Sequence, residues 1–151
     1  MDDDVRLPVS TGKVPLDEPP RLLIVDDDHA VRALLVTVLK REGYAIDAVR
    51  NGAEAIEKIA TSEYAAILLD LMMPVVDGYE IISYLERTAP KTLSACVIVL
   101  TAVSNAELRR LEGKPIFRII RKPFDIDELA SAVAECVRGR DSSLTATPLA
   151  S

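Results

Sequence analysis

Five short, mostly apolar runs alternate along this chain with segments of helical periodicity, and this alternation restricts the fold more than any other feature. We predict strands over Leu22–Val25, Tyr44–Val49, Ala65–Leu69, Cys96–Leu100 and Phe117–Ile120. The first and third runs are continuously apolar and end at acids, which is typical of parallel strands buried on both faces. Strands that alternate with helices form βαβ units, so the sequence predicts an α/β fold with one parallel sheet.

Five helices are predicted between and after these strands. The first carries apolar residues at helical spacing from Val31 to Leu39 and ends before Gly43. The others are predicted over Ala53–Ala60, Tyr79–Arg87, Ser104–Glu112 and Asp125–Arg138. Right-handed crossovers would place helices on both faces of the sheet, which gives a doubly wound (βα)5 architecture.

The two ends of the chain differ in composition from its centre. Residues 1–20 hold four prolines among acidic and small residues and show no period, so we predict a disordered N-terminal arm. Residues 141–151 are expected to be a disordered tail, and the folded domain is expected over residues 21–140. Because few residues follow Arg138, the sequence predicts a stand-alone domain without a DNA-binding or enzymatic output domain.

Composition argues against several classes of protein. A net charge of −6 gives no basic footprint for nucleic acid. Cys96 and Cys136 lack the paired spacing of a zinc site, and we interpret them as buried thiols in a reducing compartment. No apolar stretch approaches the ~18 residues of a membrane span. The sequence therefore predicts a cytoplasmic protein that binds neither nucleic acid nor membrane.

Polar side chains follow four of the predicted strands. Asp26 and Asp27 follow the first strand, Asp70 the third, Thr101 the fourth and Lys122 the fifth. Ligands of open α/β sheets bind at the carboxyl ends of the strands, so one edge of the sheet is expected to collect these side chains.

The chemistry of this set favours a phosphoryl group. Three converging carboxylates resist joint ionisation, and a hard divalent cation such as Mg²⁺ would remove that conflict. Lys122 adds a second positive charge and Thr101 adds a hydroxyl donor. Such groups stabilise phosphoryl transfer by positioning and by charge.

Four motifs at these strand ends resemble the receiver domain of two-component response regulators, over about residues 21–138. They are Leu-Leu-Ile-Val-Asp-Asp-Asp (22–28), Ile-Leu-Leu-Asp-Leu-Met-Met-Pro-Val-Val-Asp-Gly (67–78), Val-Leu-Thr-Ala (99–102) and Arg-Lys-Pro-Phe (121–124). The resemblance implies a flavodoxin-like sheet with strand order 2-1-3-4-5.

The resemblance also implies a role for each site residue. Asp70 would accept the phosphoryl group, Lys122 would contact its oxygens, and Thr101 would rotate to hydrogen-bond it. Lys122-Pro123 would be a cis peptide, which costs little before proline. Pro74 and Gly78 would shape the loop after the acceptor.

For the metal, the resemblance implies Mg²⁺ bound by Asp26, Asp27, Asp70 and the backbone carbonyl of Met72. The donor of the phosphoryl group would be a histidine kinase or a histidine phosphotransfer protein within a phosphorelay. Output would be protein–protein contact with a downstream target, by a monomer or a weak, phosphorylation-dependent dimer. No enzymatic activity is expected beyond the domain's own phosphorylation and dephosphorylation.

Some positions depart from the family pattern. Ile119 stands three residues before Lys122, where the family usually has Tyr or Phe. Met72 and Val103 are apolar at positions that, in the family, influence how water reaches the phosphoryl group, so we predict slow self-dephosphorylation. Residues 112–116, Glu-Gly-Lys-Pro-Ile, replace the usual Gly-Ala-rich stretch before strand five.

Simpler interpretations stand beside these. One is that the Asp26–Asp28 triplet has no role beyond capping a helix. Asp28 alone is expected to be structural or to lie at the rim of the site. His29 is expected to be exposed or capping, and the arginines at 109, 110, 118 and 121 are expected to be solvated. A Mg²⁺-dependent phosphatase with an aspartyl-phosphate intermediate and a degenerate receiver acting as a binding module are the alternative functions.

Overall fold

Five parallel strands form one sheet in the computed structural model, which describes residues 18–145, with the backbone alone for residues 94, 95 and 140–145. The strands are β1 Arg21–Val25, β2 Ala45–Val49, β3 Ala66–Leu69, β4 Val97–Thr101 and β5 Arg118–Arg121. Their order is β2-β1-β3-β4-β5. The predicted α/β class, parallel pairing and strand order are confirmed.

Six α-helices connect and follow these strands within residues 18–145. They are α1 His29–Arg41, α2 Gly52–Thr61, α3 Gly78–Thr88, α4 Pro90–Cys96, α5 Asn105–Leu108 and α6 Ile126–Thr145, and a 3-10 helix over Arg109–Leu111 follows α5. The chain reverses its direction across the sheet after β2. Right-handed crossovers therefore place α1 on one face and the neighbouring helices α2 and α3 on the other.

The central strands make up the core of the domain. Leu22, Leu23 and Ile24 of β1 have no exposed surface, and β3 and β4 are buried along their whole lengths. Helices cover both faces of these strands, which explains why the runs are continuously apolar rather than alternating. A rigid core therefore carries the strand ends at which the polar residues lie.

Three helical segments differ from the sequence prediction. Helix α4 was not predicted, and it takes in Cys96, which we expected to begin a strand. Pro90 opens α4, because its fixed φ angle suits the first turn of a helix. The structure therefore has six α-helices in its described part, where the sequence predicts five.

The other two differences lie on either side of β5. Helix α5 ends at Leu108 and tightens into the 3-10 turn, so the helix predicted over Ser104–Glu112 is mostly not α-helical. Helix α6 continues past its predicted end at Arg138 as far as Thr145, since Gly139 alone weakens a helix by only about 1 kcal/mol.

The terminal predictions fall largely outside the described residues. Residues 1–17 of the expected arm and residues 146–151 of the expected tail are not described. The first five residues of that tail continue α6. None of the helices between residues 18 and 145 combines the length and apolar character needed to cross a bilayer.

Candidate functional site

Asp26 follows β1 directly and is held by contacts from three sides. Its side chain is 2% exposed, and Oδ1 accepts a hydrogen bond from the backbone N–H of Asp28 at 2.9 Å. Oδ2 accepts a hydrogen bond from Lys122 Nζ at 2.8 Å, and the Asp26 carbonyl accepts one from Arg32 Nη1 at 2.8 Å. The position of this carboxylate is therefore fixed, while its neighbour Asp27 is exposed.

Asp28 is the N-cap of α1. Its carboxylate accepts hydrogen bonds from the N–H groups of Ala30 and Val31, and these bonds lower the pKa of its side chain. The structural role predicted for Asp28 is confirmed. His29 is the exposed first residue of α1, as expected, and its Nδ1 lies 3.4 Å from Arg32 Nη2.

Asp70 follows β3 and lies beside the end of β1. Its backbone N–H donates to the Val25 carbonyl at 3.0 Å, which joins the ends of the two strands. Its carboxylate is buried, and Oδ1 accepts a hydrogen bond from the Met72 N–H at 3.3 Å. One carboxylate oxygen from each of Asp26, Asp27 and Asp70 lies within 4.8 Å of the others. The structure thus brings the three predicted acids together.

The loop after Asp70 requires a glycine where it enters α3. The Gly78 N–H donates to the Leu71 carbonyl at 2.9 Å, and a Cβ at Gly78 would lie 2.5 Å from the Asp70 carbonyl oxygen. Asp77 caps α3 by accepting from the Glu80 N–H. Close backbone contact therefore holds Asp70 against the start of α3.

Lys122 follows β5 and provides the positive charge of the site. Its Nζ lies 2.8 Å from Asp26 Oδ2 and 3.7 Å from Asp70 Oδ2. Burial tends to lower the pKa of Lys122, but its hydrogen bond to Asp26 and the charge of Asp70 raise it, so the group stays protonated. The Lys122-Pro123 peptide is cis, as predicted.

The environment of Asp70 opposes its ionisation. Burial, together with the nearby charges of Asp26 and Asp27, raises its pKa from 3.8 to about 6, although Lys122 and the Met72 N–H act in the opposite direction. Three carboxylates face one ammonium group at this point. The site is therefore short of positive charge.

A hard cation fits this donor set. The converging atoms are all carboxylate oxygens, which suit Mg²⁺ and do not suit the soft ions that prefer sulfur. An added divalent charge would stabilise the ionised form of Asp70 and compensate the repulsion from Asp26 and Asp27.

Thr101 ends β4 and is completely buried. Its Oγ1 accepts a hydrogen bond from the Val103 N–H at 3.2 Å, and its carbonyl accepts one from the Lys122 N–H at 2.8 Å. Thr101 and Lys122 therefore lie at the same end of the sheet, as the strand-end argument predicts.

Several arginines predicted to be solvated also make specific contacts at the surface. Arg121 bonds to the Val103 carbonyl and to the Asn105 side chain, Arg118 lies 2.5 Å from Glu135, and Arg110 stacks on a tyrosine ring at 3.7 Å. The side chains of Arg110 and Arg118 are still 58% and 40% exposed and Arg121 is exposed, so the expectation of solvated arginines is confirmed and these partners are added to it. Arg32, which donates a hydrogen bond to the Asp26 carbonyl, was not predicted to contact the site, because a single sequence does not show where a long side chain points.

Residues 22–134 match the response regulator receiver domain family. The chain belongs to this family. It is 37% identical over 120 residues to the transcriptional regulatory protein ResD of Bacillus subtilis, covering 78% of this chain and 48% of ResD. It is 34% identical over 122 residues to the response regulator MprA of Mycobacterium sp. strain KMS, covering 80% of this chain and 51% of MprA. The chain thus spans about half the length of these curated relatives.

Solved structures of receiver domains share the fold. The signal receiver domain of a histidine kinase from Syntrophus aciditrophicus is 30% identical, with a TM-score of 0.75 over 87% of this chain and 99% of that chain. Response regulator TrrA from Thermotoga maritima, solved with Mg²⁺ and a beryllium fluoride, is 35% identical, with a TM-score of 0.67 over 78% of this chain and 98% of that chain. Family membership implies a kinase or phosphotransfer partner, and receiver domains typically bind Mg²⁺.

Proposed function

We propose that this receiver domain accepts a phosphoryl group on Asp70 in a Mg²⁺-dependent reaction. The observation that carries this proposal is the position of the Asp70 carboxylate. It lies within 4.8 Å of carboxylate oxygens of Asp26 and Asp27 and 3.7 Å from the ammonium group of Lys122. A nucleophile, a set of candidate metal ligands and a fixed cation thus meet at the carboxyl edge of the sheet.

Asp70 acts as the nucleophile. Its ionised carboxylate oxygen attacks the phosphorus atom of a phosphohistidine, a P–O bond forms, and the P–N bond to the imidazole breaks. The electron pair of that bond stays with the imidazole nitrogen, and the product on Asp70 is an acyl phosphate. The phosphoryl donor is a histidine kinase or a histidine phosphotransfer protein.

Asp26, Asp27, Asp70 and the Met72 carbonyl are the proposed ligands of Mg²⁺. When bound by these residues, the ion would supply positive charge that favours the ionised form of Asp70 and neutralises charge on the phosphoryl oxygens. Asp26 is preorganised for this role, because Asp28 and Lys122 both hold its carboxylate in place.

Lys122 and Thr101 act on the transferred group. The Lys122 ammonium contacts a phosphoryl oxygen, and it needs to move little because it already lies 3.7 Å from Asp70. The Thr101 hydroxyl turns toward the phosphoryl group and donates a hydrogen bond to it. The new negative charge thereby favours a second arrangement of the loop that follows β4.

Output in this proposal is contact with a downstream protein as part of a phosphorelay. The domain acts as a monomer or as a weak dimer that forms on phosphorylation, and it has no separate enzymatic activity. An aspartyl-phosphate phosphatase usually needs a second acid two residues after its nucleophile, and Met72 stands there. The single-domain organisation and the cytoplasmic location stay predictions of the sequence.

Transfer from a phosphorylated histidine kinase tests this function. The phosphoryl group is expected to leave the kinase histidine and to appear on this chain when Mg²⁺ is present, and a chelator is expected to abolish the transfer. Asp70→Asn should not become labelled. Asp77→Asn is the matched control, because Asp77 caps α3 on the same loop and should leave labelling intact. Transfer to Asp70→Asn at the wild-type rate would refute the proposal.

A further inference from the structure

Arg121 joins the end of β5 to the loop between β4 and α5. Its Nη1 donates a hydrogen bond to the Val103 carbonyl at 2.8 Å, and its Nη2 donates to the side-chain oxygen of Asn105. Arg121 is also the cross-strand partner of Thr101 in the pairing of β4 with β5. One guanidinium group therefore holds both the loop and the first residue of α5.

Thr101 holds the same loop from its other side. Its Oγ1 accepts the hydrogen bond from the Val103 N–H at 3.2 Å, while the Val103 carbonyl accepts from Arg121. Val103 is buried, so a change at either contact displaces a packed residue. Both contacts are made to Val103, so Thr101 and Arg121 are linked through one buried residue.

Ile119, which stands where the family usually has an aromatic residue, is aliphatic. Ile119 lies on β5 with its side chain 40% exposed, and it has no polar atom with which to bond the loop. Arg121 lies two residues further along β5, so its side chain emerges on the same face as that of Ile119. A polar link to the β4–α5 loop is therefore present on this face of the strand, two residues beyond Ile119.

We propose that Arg121 is a positioning residue that holds the β4–α5 loop in its unphosphorylated arrangement and releases it when Thr101 turns to the phosphoryl group. The proposal rests on the phosphorylation of Asp70 proposed above. In the state described, the bonds of Arg121 to Val103 and Asn105 favour the arrangement in which Thr101 bonds Val103. A ligand that draws Thr101 away must break this preference, so the preference opposes binding of that ligand.

The proposal can be measured because the contacts of Arg121 and the binding of a phosphoryl mimic affect the same equilibrium between two loop arrangements. If Arg121 stabilises the unliganded arrangement, its removal must strengthen binding of any group that favours the other one. Beryllofluoride with saturating Mg²⁺ serves as the phosphoryl mimic. Arg121→Gln is expected to bind it roughly fivefold more tightly than wild type, while the affinity for Mg²⁺ alone stays unchanged. A merely structural role would not separate these two affinities.

Two further variants sharpen the test. Asn105→Ala removes one of the two acceptors without touching the charge of Arg121, and it is expected to shift beryllofluoride binding in the same direction by a smaller factor. Arg118→Gln is the matched control, because Arg118 lies on the same strand but pairs with Glu135. It should bind beryllofluoride like wild type. Backbone amide signals of Val103 and Asn105 should move on beryllofluoride binding in wild type.

The results that would refute the role of Arg121 differ from those that would refute phosphorylation of Asp70. If wild type binds beryllofluoride but Arg121→Gln and Asn105→Ala bind it no more tightly, the role of Arg121 is refuted and phosphorylation of Asp70 is untouched. Equal tightening in Arg118→Gln would also refute it, because the effect would then follow from charge alone. If wild type fails to bind beryllofluoride with Mg²⁺, the proposed function and the role of Arg121 both fail.

Discussion

The ammonium group of Lys122 lies 2.8 Å from a carboxylate oxygen of Asp26, close enough to donate a hydrogen bond. The same nitrogen lies 3.7 Å from Asp70 Oδ2, so it forms an ion pair with the proposed acceptor but is too distant to hydrogen-bond its oxygen. Asp26 therefore anchors Lys122, and the acceptor stays open to an incoming phosphorus atom. This division of contacts explains how one lysine can both hold the Asp26 carboxylate and remain available to the transferred group.

Replacing Lys122 should separate chemistry from stability. Lys122→Met is expected to slow phosphorylation by acetyl phosphate about 100-fold, because a fixed cation beside the transferred group is lost. It should also cost about 1–3 kcal/mol of unfolding free energy at neutral pH, since the Asp26 carboxylate loses one of its two hydrogen-bond donors.

The matched control is Lys114→Met. Lys114 lies 2.9 Å from Glu86, and both side chains are partly exposed. Such a pair contributes about 0–1 kcal/mol, so this variant should keep near-wild-type stability and the wild-type labelling rate. Equal rates for both variants would contradict the role given to Lys122.

The raised pKa of Asp70 predicts how stability depends on pH in metal-free protein. Between about pH 4 and pH 6 the folded state binds the proton of Asp70 more tightly than the unfolded state does. This carboxyl therefore makes the protein less stable as pH rises through that window, and the cost is complete above pH 6. The shift from 3.8 to about 6 corresponds to about 2–3 kcal/mol.

Asp70→Asn should lack this pH-dependent loss. With a chelator present, it is expected to be more stable than wild type at pH 7.5 by up to that amount and to approach wild type at pH 4, as measured by chemical denaturation. Saturating Mg²⁺ should reduce the difference, because the ion binds folded wild type at the three acids. A difference between the two proteins that is constant from pH 4 to pH 7.5 would contradict the pKa assignment.

Gly78 should be intolerant of any side chain. An alanine Cβ would lie 2.5 Å from the Asp70 carbonyl oxygen and 2.7 Å from the Leu71 Cα, so backbone would have to move. Gly78→Ala is expected to cost about 1–3 kcal/mol and to slow phosphorylation. Gly139→Ala is the control, because nothing lies within 4 Å of its Cβ position in α6. It should stabilise the protein by about 0.5–1 kcal/mol.

The apolar residue at position 72 predicts a long-lived acyl phosphate. Met72 is 56% exposed beside Asp70 and offers no group that could orient an attacking water. Met72→Asn is expected to shorten the lifetime of the phosphorylated protein by about tenfold or more, measured by loss of phosphate after the donor is removed. Val75→Asn is the control, since Val75 is 95% exposed on the same loop. A wild-type lifetime of seconds would contradict the prediction.

Much of the fold and the site could be predicted from the sequence, because both depend on where the buried strands begin and end. Once a run such as Leu22–Val25 is identified as a buried parallel strand, the acids after it must lie at the carboxyl edge of the sheet. The same reasoning places Asp70, Thr101 and Lys122 there. Their position at one edge follows from the strand pattern, whereas the strand order and the role of each residue rested on the resemblance to receiver domains.

Features that depend on side-chain direction or on short helices could not be predicted in this way. Helix α4 spans only Pro90–Cys96 and runs directly into β4, so its apolar residues look like the start of a strand. Arg121 carries no periodic signal, and its contacts with the β4–α5 loop depend on a rotamer. The exchange of an aromatic residue for Ile119 was visible in the sequence, whereas the polar link beside it was not.

Labelling by acetyl phosphate tests the central claim most directly. Wild type, incubated with acetyl phosphate and Mg²⁺, should gain the mass of one phosphoryl group, and hydroxylamine should remove it as expected of an acyl phosphate. Asp70→Asn should gain nothing under the same conditions, and a chelator should suppress the gain in wild type. A phosphoryl group that appears on Asp70→Asn as readily as on wild type, or a wild type that gains none with Mg²⁺ present, would contradict the account.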